Sequence, residues 1–391
     1  MIAAAVVLLA PLAAAAPTYY RDALPIIIKR CQACHRPGEI GPMPLRTYRE
    51  TRPWAKAIRE AVLTRRMPPW HADPRVGRFA NDLSMSDGEI HTLAEWIDAG
   101  APEGSPEDAP PAPVFTGGWR IPKPDAVFSI PEASQIPATG TLDYRYITVP
   151  TGFTEDKWVE AAEVRPSNRS VVHHAIVYVV SPGGEDSWMS ARGFLAGYAP
   201  GSMPQKWKSG QARLVPAGSH LMFQLHYTPN GRAGADRTQV GLVFARRRPH
   251  RQIVAITAGN RWFEIPPGDG AHRVDSQVAI RNDALLVGMR PHMHLRGKSF
   301  EYRVVTPDGA SQVVLRVPRY DFNWQPYYYL ETPIALPAGS RIECTAQFDN
   351  SASNPRNPDP RATVRWGEQS WEEMMLGWID LAVEVHGTIG R

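Results

Sequence analysis

The chain has 391 residues, of which 43% are hydrophobic and 21% charged, a composition typical of globular proteins. At roughly 150 residues per domain, this length predicts more than one domain. The net charge of +4 is a mild basic excess, and no Lys/Arg block alternates with aromatic residues, which argues against nucleic-acid binding. The 38 prolines and 31 glycines punctuate short apolar runs, and this pattern favours β-structure with frequent turns.

The first predicted element is a signal peptide at residues 1–16. This segment is apolar from Ile2 onwards, ends in alanines typical of a cleavage site, and is too short to cross a bilayer comfortably. An uncleaved N-terminal anchor is the alternative. No other stretch of the sequence is long and apolar enough to cross a membrane, so we expect a mature chain without a membrane span, periplasmic or secreted.

A haem-attachment motif follows, within residues 17–104. The sequence CQACH is the c-type pattern, in which Cys31 and Cys34 bind the porphyrin and His35 supplies the proximal iron ligand. A thioredoxin-like redox pair or half of a zinc site are alternative interpretations. The remaining cysteine, Cys344, stands alone, so no second pair completes a zinc site. We therefore expect one covalent haem c.

The distal iron ligand is expected to be Met67, because two prolines directly after it stiffen its loop and a methionine ligand raises the haem potential. The alternatives are His71, Met43 and Met85. Of these, His71 would give a bis-histidine haem of lower potential.

A helix is predicted to close this first domain. Ser86 and Glu89 form a capping box, an apolar stripe follows, and Gly100 ends the helix. The pattern resembles the C-terminal helix of class I cytochromes c, and the resemblance implies a small all-α cytochrome c domain over residues 17–104. Residues 105–118 are rich in proline and predict a linker.

From Trp119 onwards, short runs of Val, Ile, Tyr and Phe alternate with Pro/Gly turns, and no long helical stripe is found. The pattern predicts two all-β domains of the jelly-roll or β-sandwich type, at residues 119–258 and 259–391.

Two histidine motifs occupy the first of these domains. The stretch VVHHAIVYVV places His173 and His174 side by side, although successive side chains of a strand point to opposite faces. In HLMFQLHY, the apolar residues alternate along one face, so His226 points the other way. His220 shares a strand face with His226 and matches no motif.

The second β domain contains two further motifs. His292 and His294 lie two positions apart, so one strand face can offer both imidazoles to a metal, and Arg290 lies on the same face. In WEEMMLGW, one strand face carries Met374, Leu376 and Trp378.

The motifs H-H, Q-x-H-Y, H-x-H and E-M, in this order, resemble the copper type II ascorbate-dependent monooxygenases, the group of peptidylglycine α-hydroxylating and dopamine β-monooxygenases. The resemblance runs from about residue 119 to the C-terminus and implies two coppers. The electron-transfer copper would be bound by His173, His174 and His226. The oxygen-binding, catalytic copper would be bound by His292, His294 and Met374.

The resemblance also suggests substrate-binding residues, namely Arg290, Leu376 and Trp378. Arg290 matches an arginine that holds a substrate carboxylate, or it pairs with a nearby acidic residue as a structural group. The family's usual cysteine after the methionine is Met375 here, so Cys344 is expected to be a buried thiol without a disulfide partner. Zinc is the rival metal for a three-histidine site.

These features predict a monooxygenase that hydroxylates a C–H bond of a small-molecule or peptide substrate with O₂. A redox partner would donate electrons to the haem, which would supply the coppers. The alternative is a haem- and copper-containing electron carrier or copper-binding protein without catalytic activity.

Overall fold

The computed structural model describes residues 16–115, 118–183, 193–199 and 202–385. Nearly all of the predicted signal peptide therefore lies outside the described residues. The chain divides into two compact units, of which one comprises Met1–Pro69 with Leu83–Val114 and the other comprises Trp70–Asp82 with Phe115–Arg391. No described helix has the length and apolar character needed to cross a membrane.

In the first unit, the regular elements among the described residues are all helical, and they are short. The α-helices are α1 (Leu24–Arg30), α2 (Tyr48–Thr51), α3 (Ala55–Leu63) and α4 (Asp87–Asp98). A π-helical turn spans Tyr19–Ala23, and 3₁₀ turns span Arg52–Trp54 and Pro106–Asp108.

The predicted capping box at the start of α4 is confirmed. The Ser86 hydroxyl accepts from the Glu89 N–H, and the Glu89 carboxylate accepts from the Ser86 N–H. The apolar stripe of α4 faces the core of this unit, where Leu93 and Trp96 are fully buried together with Tyr19. The helical character of this unit agrees with the expectation, whereas a cytochrome c fold remains a prediction.

In the second unit, the regular elements among the described residues are all strands, which confirms the β-rich prediction. Its N-terminal half contains β1 (Ala126–Ser129), β2 (Ser134–Ile136), β3 (Arg145–Pro150), β4 (Lys157–Arg165), β5 (Val172–Val180), β6 (Phe194–Tyr198), β7 (Gln205–Lys206), β8 (Gln211–Val215), β9 (His220–Tyr227), β10 (Gly234–Asp236) and β11 (Gln239–Phe244). Its C-terminal half contains β12 (Arg251–Asn260), β13 (Glu264–Ile265), β14 (His272–Ala279), β15 (Ala284–His292), β16 (Gly297–Val305), β17 (Ser311–Val317), β18 (Tyr328–Leu336), β19 (Arg341–Phe348), β20 (Val364–Arg365) and β21 (Met375–Glu384).

Each half contains two main sheets. In the N-terminal half, the order β3-β9-β5-β6 forms one sheet, and β1-β11-β4-β8 forms part of the other. In the C-terminal half, β14-β19-β16-β17 forms one sheet, and β12-β21-β15-β18 forms part of the other. The larger sheets of the two halves join where β8 pairs in parallel with β12. The boundary expected near residue 258 falls inside β12, which pairs with β21 over all ten residues, so strand pairing groups residues 251–258 with the C-terminal half.

Apolar side chains fill the space between the paired sheets. Val159 from β4 and Leu242 from β11 share a buried cluster with Val177 from β5 and Phe223 from β9. The predicted alternation along β9 is confirmed, because its apolar face is buried in this cluster.

In the C-terminal half, the sheets approach closely at Gly377. A Cβ atom on Gly377 would lie 2.6 Å from the sulfur of Cys344 on the facing sheet, so a larger residue would not fit. Cys344 is buried and forms no disulfide, as expected.

The segment Trp70–Asp82 belongs to the β-rich unit, although sequence analysis placed it within residues 17–104. It lies along the edge of β18, where the Ala80 N–H donates to the Tyr329 carbonyl at 2.8 Å and the Glu331 N–H donates to the Arg78 carbonyl at 3.0 Å. The side chain of Asn81 adds two hydrogen bonds to the backbone of the same edge. This segment therefore acts as an additional edge of the β-rich unit.

Candidate metal centres

A β-bulge brings the adjacent histidines His173 and His174 together. In the pairing of β5 with β9, Val172 lies opposite Tyr227 and His174 lies opposite His226, so the register shifts at His173. A bulge changes the direction of one side chain without breaking the sheet. Both imidazoles can turn towards one point only if the strand is bulged or twisted here, and the register contains the bulge.

The three imidazoles form one compact group. The ligand nitrogens of His173, His174 and His226 all lie within 4.8 Å of one another. The Nε2 atom of His173 and the Nδ1 atom of His226 are buried and have no hydrogen-bond partner among the described residues. Because buried polar atoms are normally paired, two unpaired ring nitrogens in so compact a group fit a metal-binding site. We call this set the three-histidine group.

Burial keeps these imidazoles neutral. It lowers the pKa of His173 to about 4, although a hydrogen bond with the side chain of Asn323 acts in the opposite direction. Burial also lowers the pKa of His226 to about 3 and holds the pKa of His174 well below its usual value. A neutral imidazole has a lone pair available for a metal, so the group is ready to bind an ion near neutral pH.

The second group, His292, His294 and Met374, gathers where β15 ends and β21 begins. His292 is the last residue of β15, whereas His294 lies just beyond the strand. The prediction that both lie on one face of a regular strand is therefore wrong. Their rings nevertheless lie with centroids 5.2 Å apart at 87°. The three residues are called the His-His-Met group below.

Hydrogen bonds select the ring nitrogen that each of these histidines can offer. The Nδ1 atom of His292 bonds to the Gln325 side-chain oxygen at 2.6 Å, and the Nδ1 atom of His294 bonds to the Glu372 carbonyl at 3.2 Å. Since both oxygens are acceptors, both Nδ1 atoms carry the proton and each Nε2 lone pair is left for a metal. The Nε2 atom of His294 is buried without a hydrogen-bond partner in the described part of the chain.

Met374 and Met375 are adjacent, but their surroundings differ. Met374 lines a cavity together with His292, and 7% of its surface is exposed. Met375 opens β21, is fully buried, and is not among the residues that line this cavity. Of the two methionines, therefore, only Met374 lines the cavity beside His292, and its role as a ligand remains a prediction.

One cavity reaches both groups. His173 and His174 line it from the first group, and His292 and Met374 line it from the second. Aromatic side chains form much of the remaining wall, namely Tyr144, Tyr146, Tyr178, Phe322, Trp366 and Trp378. Leu376 and Arg290, both expected near a substrate, also line it. The arrangement provides a largely apolar chamber next to both sets of metal-binding side chains.

Arg290 is held among aromatic rings. Its guanidinium carbon lies 4.9 Å from the ring centre of Tyr327, 5.3 Å from that of Trp378 and 5.4 Å from that of Phe194. These distances fit cation–π contacts. Its Nε is buried without a hydrogen-bond partner, and among the described residues no carboxylate forms an ion pair with it. This environment does not match the structural alternative, in which Arg290 would pair with a nearby acid.

Sequence analysis included Glu373 only as part of the E-M motif and did not foresee that its carboxylate fixes the backbone of the H-x-H segment. It accepts from the His294 N–H at 2.8 Å and from the Arg296 N–H at 2.6 Å, and it is fully buried. Burial raises the pKa of Glu373 to about 8, and the hydrogen bonds from the backbone act against that rise. The sequence feature that could have pointed to this role is the position of Glu373 directly before Met374. Through its hydrogen bonds to the H-x-H segment, Glu373 connects Met374 to the two histidines.

Two more neighbours of the groups were not expected from the sequence. Tyr144 stacks on His226, with ring centroids 4.5 Å apart at 21°, and Gln325 orients His292 as described above. Neither residue belongs to a recognisable motif, so only the fold brings them to the site.

In the helical unit, CQACH forms a tight turn after α1. The N–H groups of Cys34 and His35 both donate to the Cys31 carbonyl, at 3.1 and 2.9 Å. The Nδ1 atom of His35 bonds to the Met43 carbonyl at 3.1 Å, which leaves Nε2 as the ligand atom. A Cβ atom on Gly41 would lie 2.7 Å from the Cys34 carbonyl, so the chain can pass the motif this closely only at a glycine. These features fit a proximal haem ligand.

The two leading candidates for the distal haem ligand fall in different units. Met67 groups with the unit that contains CQACH, whereas His71 groups with the β-rich unit. Burial lowers the pKa of His71, and the charge of Asp321 in the β-rich unit acts against that shift. The choice between Met67 and His71 remains a prediction.

No family model and no curated protein matches the chain. Matches among solved structures include a chain from the structure of infectious bursal disease virus Gt strain, which is 11% identical with a TM-score of 0.21, covering 70% of this chain and 74% of that chain. The major capsid protein P2 of bacteriophage PM2 is 9% identical with a TM-score of 0.28, covering 68% of this chain and 99% of that chain. An allantoicase is 8% identical with a TM-score of 0.18, covering 56% and 79%. Similarities this weak carry no argument about function.

Proposed function

We propose that this chain is a periplasmic or secreted monooxygenase that uses two coppers and one covalent haem to hydroxylate a C–H bond of an organic substrate. The overall reaction would be RH + O₂ + 2e⁻ + 2H⁺ → ROH + H₂O. The single observation that supports it best is the cavity lined by ligands of both the three-histidine group and the His-His-Met group.

The donor atoms fit copper at both groups. Imidazole suits copper and zinc alike, but a thioether is a soft ligand that selects Cu(I) over zinc. The His-His-Met group therefore favours copper through Met374, and the haem motif in the same chain also indicates redox chemistry. When bound, copper would supply one-electron reduction of O₂, which organic side chains cannot perform.

The chain's own residues would position the reactants. Glu373 and Gln325 hold the two histidines of the His-His-Met group in one orientation, so little reorganisation is needed when a metal binds. The aromatic wall limits access of water to the chamber, which protects a reactive site from side reactions.

Arg290 is proposed to orient the substrate. It lines the chamber together with His292, and its Nε lacks a partner in the described part of the chain. The surrounding aromatic rings hold the guanidinium in place before a substrate binds. Binding of an anionic or strongly polar substrate group would therefore cost little additional side-chain entropy. Leu376 and Trp378 would contact the apolar part of the substrate.

The helical unit is proposed to be a cytochrome c domain that passes electrons to the β-rich unit. Its support is the CQACH turn and the hydrogen bond that orients His35. A covalently linked donor is present at high effective concentration, which makes electron delivery intramolecular if the connecting segments permit approach.

The competing assignment, an electron carrier without a substrate, has less support. A carrier needs no chamber beside its metal ligands, and a filled cleft would favour that function. Here Met374 lines a cavity whose wall also contains His292 and several aromatic side chains, so the space beside the metal ligands is not completely filled.

The test is oxygen uptake by the copper-loaded full chain in ¹⁸O₂, with an excess of a small-molecule reductant and a library of small organic molecules and peptides. Each turnover consumes two electrons from the added reductant, so we expect O₂ consumption well above one equivalent per protein and one ¹⁸O atom in an organic product. The zinc-loaded chain is the matched control and should form no labelled product. Oxygen uptake by the copper-loaded chain without any labelled product would favour the electron carrier.

A further inference from the structure

One loop of the β-rich unit supports both groups of metal-binding side chains. It comprises residues 320–325, between β17 and β18, and we call it the bridging loop. Gln325 bonds to His292, and Asn323 bonds to His173. The Tyr320 hydroxyl donates to the Met293 carbonyl at 2.7 Å and lies 3.0 Å from the Met293 N–H, which fixes the residue between His292 and His294. The proposed function assigns a role to Gln325 alone among the residues of this loop.

Phe322 lies between the two groups. Its ring stacks on His173, with centroids 4.9 Å apart at 26°, and meets His294 edge to face, with centroids 5.8 Å apart at 81°. Only 6% of Phe322 is exposed. In the part of the chain that the structure describes, no other aromatic side chain makes ring contacts with histidines of both groups. Phe322 is therefore a direct packing contact between one ligand of each group.

The bridging loop is held in place by its own interactions. The Asp321 carboxylate pairs with Arg356 at 2.7 Å and accepts from the Asn323 N–H at 3.0 Å. The Gln325 side-chain nitrogen donates to the Phe322 carbonyl at 2.9 Å, so the amide oxygen must face His292. Because these interactions restrict the conformation of the loop, a shift of His173 on metal binding would move Phe322 and change its contact with His294.

A metal in the three-histidine group would fix the ring of His173 and, through stacking, the ring of Phe322. The edge of Phe322 would then limit the rotation of His294, which needs one orientation to bind a metal. Ordering one group in this way lowers the entropy that the other must lose on binding. Linkage requires the effect to be reciprocal.

We propose that the bridging loop, through Phe322, couples metal binding at the three-histidine group to metal binding at the His-His-Met group. This inference rests on the proposed function, because it requires both groups to bind copper. Phe322 is a positioning residue in this account, since it contacts ligand side chains and offers no donor atom to the metal.

The test is a Cu(I) titration of the metal-free full chain against a competing chelator. The affinity of the His-His-Met group is measured with the three-histidine group intact and in His226→Ala, which disables that group without touching Phe322. We expect the intact protein to bind the copper at the His-His-Met group at least about fivefold more tightly than His226→Ala, the lower end of usual coupling. In the Phe322→Leu background, that difference should fall below about twofold.

Three variants make the result specific. Phe322→Tyr keeps the ring and should retain the coupling, whereas Phe322→Met gives a second ring-free protein if leucine impairs folding. Phe300→Leu removes another buried ring, which packs against Tyr302 at an interplanar angle of 41° and makes no ring contact with a metal-binding histidine among the described residues. This variant should also retain the coupling. Two coppers that bind independently in the intact protein would overturn the inference and leave the proposed function standing. A chain that binds fewer than two coppers would instead refute the proposed function itself.

Discussion

Replacing Met374 by isoleucine is expected to lower hydroxylation at least about 100-fold while the protein stays folded, because losses of 10- to 100-fold already follow changes outside the ligand shell. Isoleucine keeps an apolar side chain of similar volume, so the cost in folding free energy should stay below about 1.5 kcal/mol. The thioether, however, is lost. Met374 lines the cavity beside His292, where no other methionine is among the lining residues. Product formation and copper content, measured on the same sample, check this result.

Met375→Ile is the matched control. Met375 is fully buried and pairs with Asn260 at the start of β21, away from the cavity wall. We expect it to retain turnover within a small factor and to lose only some thermal stability. Loss of activity in Met375→Ile together with normal activity in Met374→Ile would show that the metal ligand is the neighbouring methionine.

The double substitution Cys31→Ala and Cys34→Ala is expected to abolish covalent haem completely and to leave copper content unchanged. The thiols provide the two covalent links of a c-type haem, and no other pair of cysteines exists in the sequence. Haem staining of the denatured protein and metal analysis of the folded protein measure the two results. Turnover driven by a partner that reduces the haem should stop as well.

Point substitutions serve this test better than removal of the N-terminal part. A chain that began after residue 118 would also lack Trp70–Asp82, which contributes backbone hydrogen bonds to the edge of β18. In the same segment, the ring of Trp70 packs on the ring of Tyr328, with centroids 4.8 Å apart. Copper loss in a truncated protein would therefore not show that haem and copper depend on each other, whereas copper loss in the double alanine variant would.

Local sequence patterns predicted the parts of the site that lie within single strands. Two adjacent histidines can bind one ion only if their strand is twisted or bulged, and the register between β5 and β9 contains a bulge at His173. The alternation in β9 likewise placed His226 opposite the buried face of that strand. Cys344 was expected to be a buried free thiol because the sequence offers it no disulfide partner, and it is buried and free.

The rest of the site depends on contacts between distant parts of the chain. Phe322 contacts His173 although the two residues are 149 positions apart in the sequence (322 − 173), and a periodic sequence pattern cannot predict a contact at that separation. Glu373 is 79 residues from His294, and its two backbone hydrogen bonds depend on the pairing of β15 with β21. The grouping of Trp70–Asp82 with the β-rich unit is equally nonlocal, because it results from edge pairing with β18. Such contacts form only after the sheets have assembled.

The most direct test of the central claim is the metal and haem content of the full chain, isolated from the oxidising compartment in which haem c is attached. Elemental analysis and the pyridine haemochrome spectrum, both referred to protein concentration, give the result. The proposed function predicts two coppers and one covalent haem per chain, with copper reduced to one by a His292→Ala, His294→Ala double substitution. Zinc at one or both groups in place of copper, with no copper bound, would contradict it.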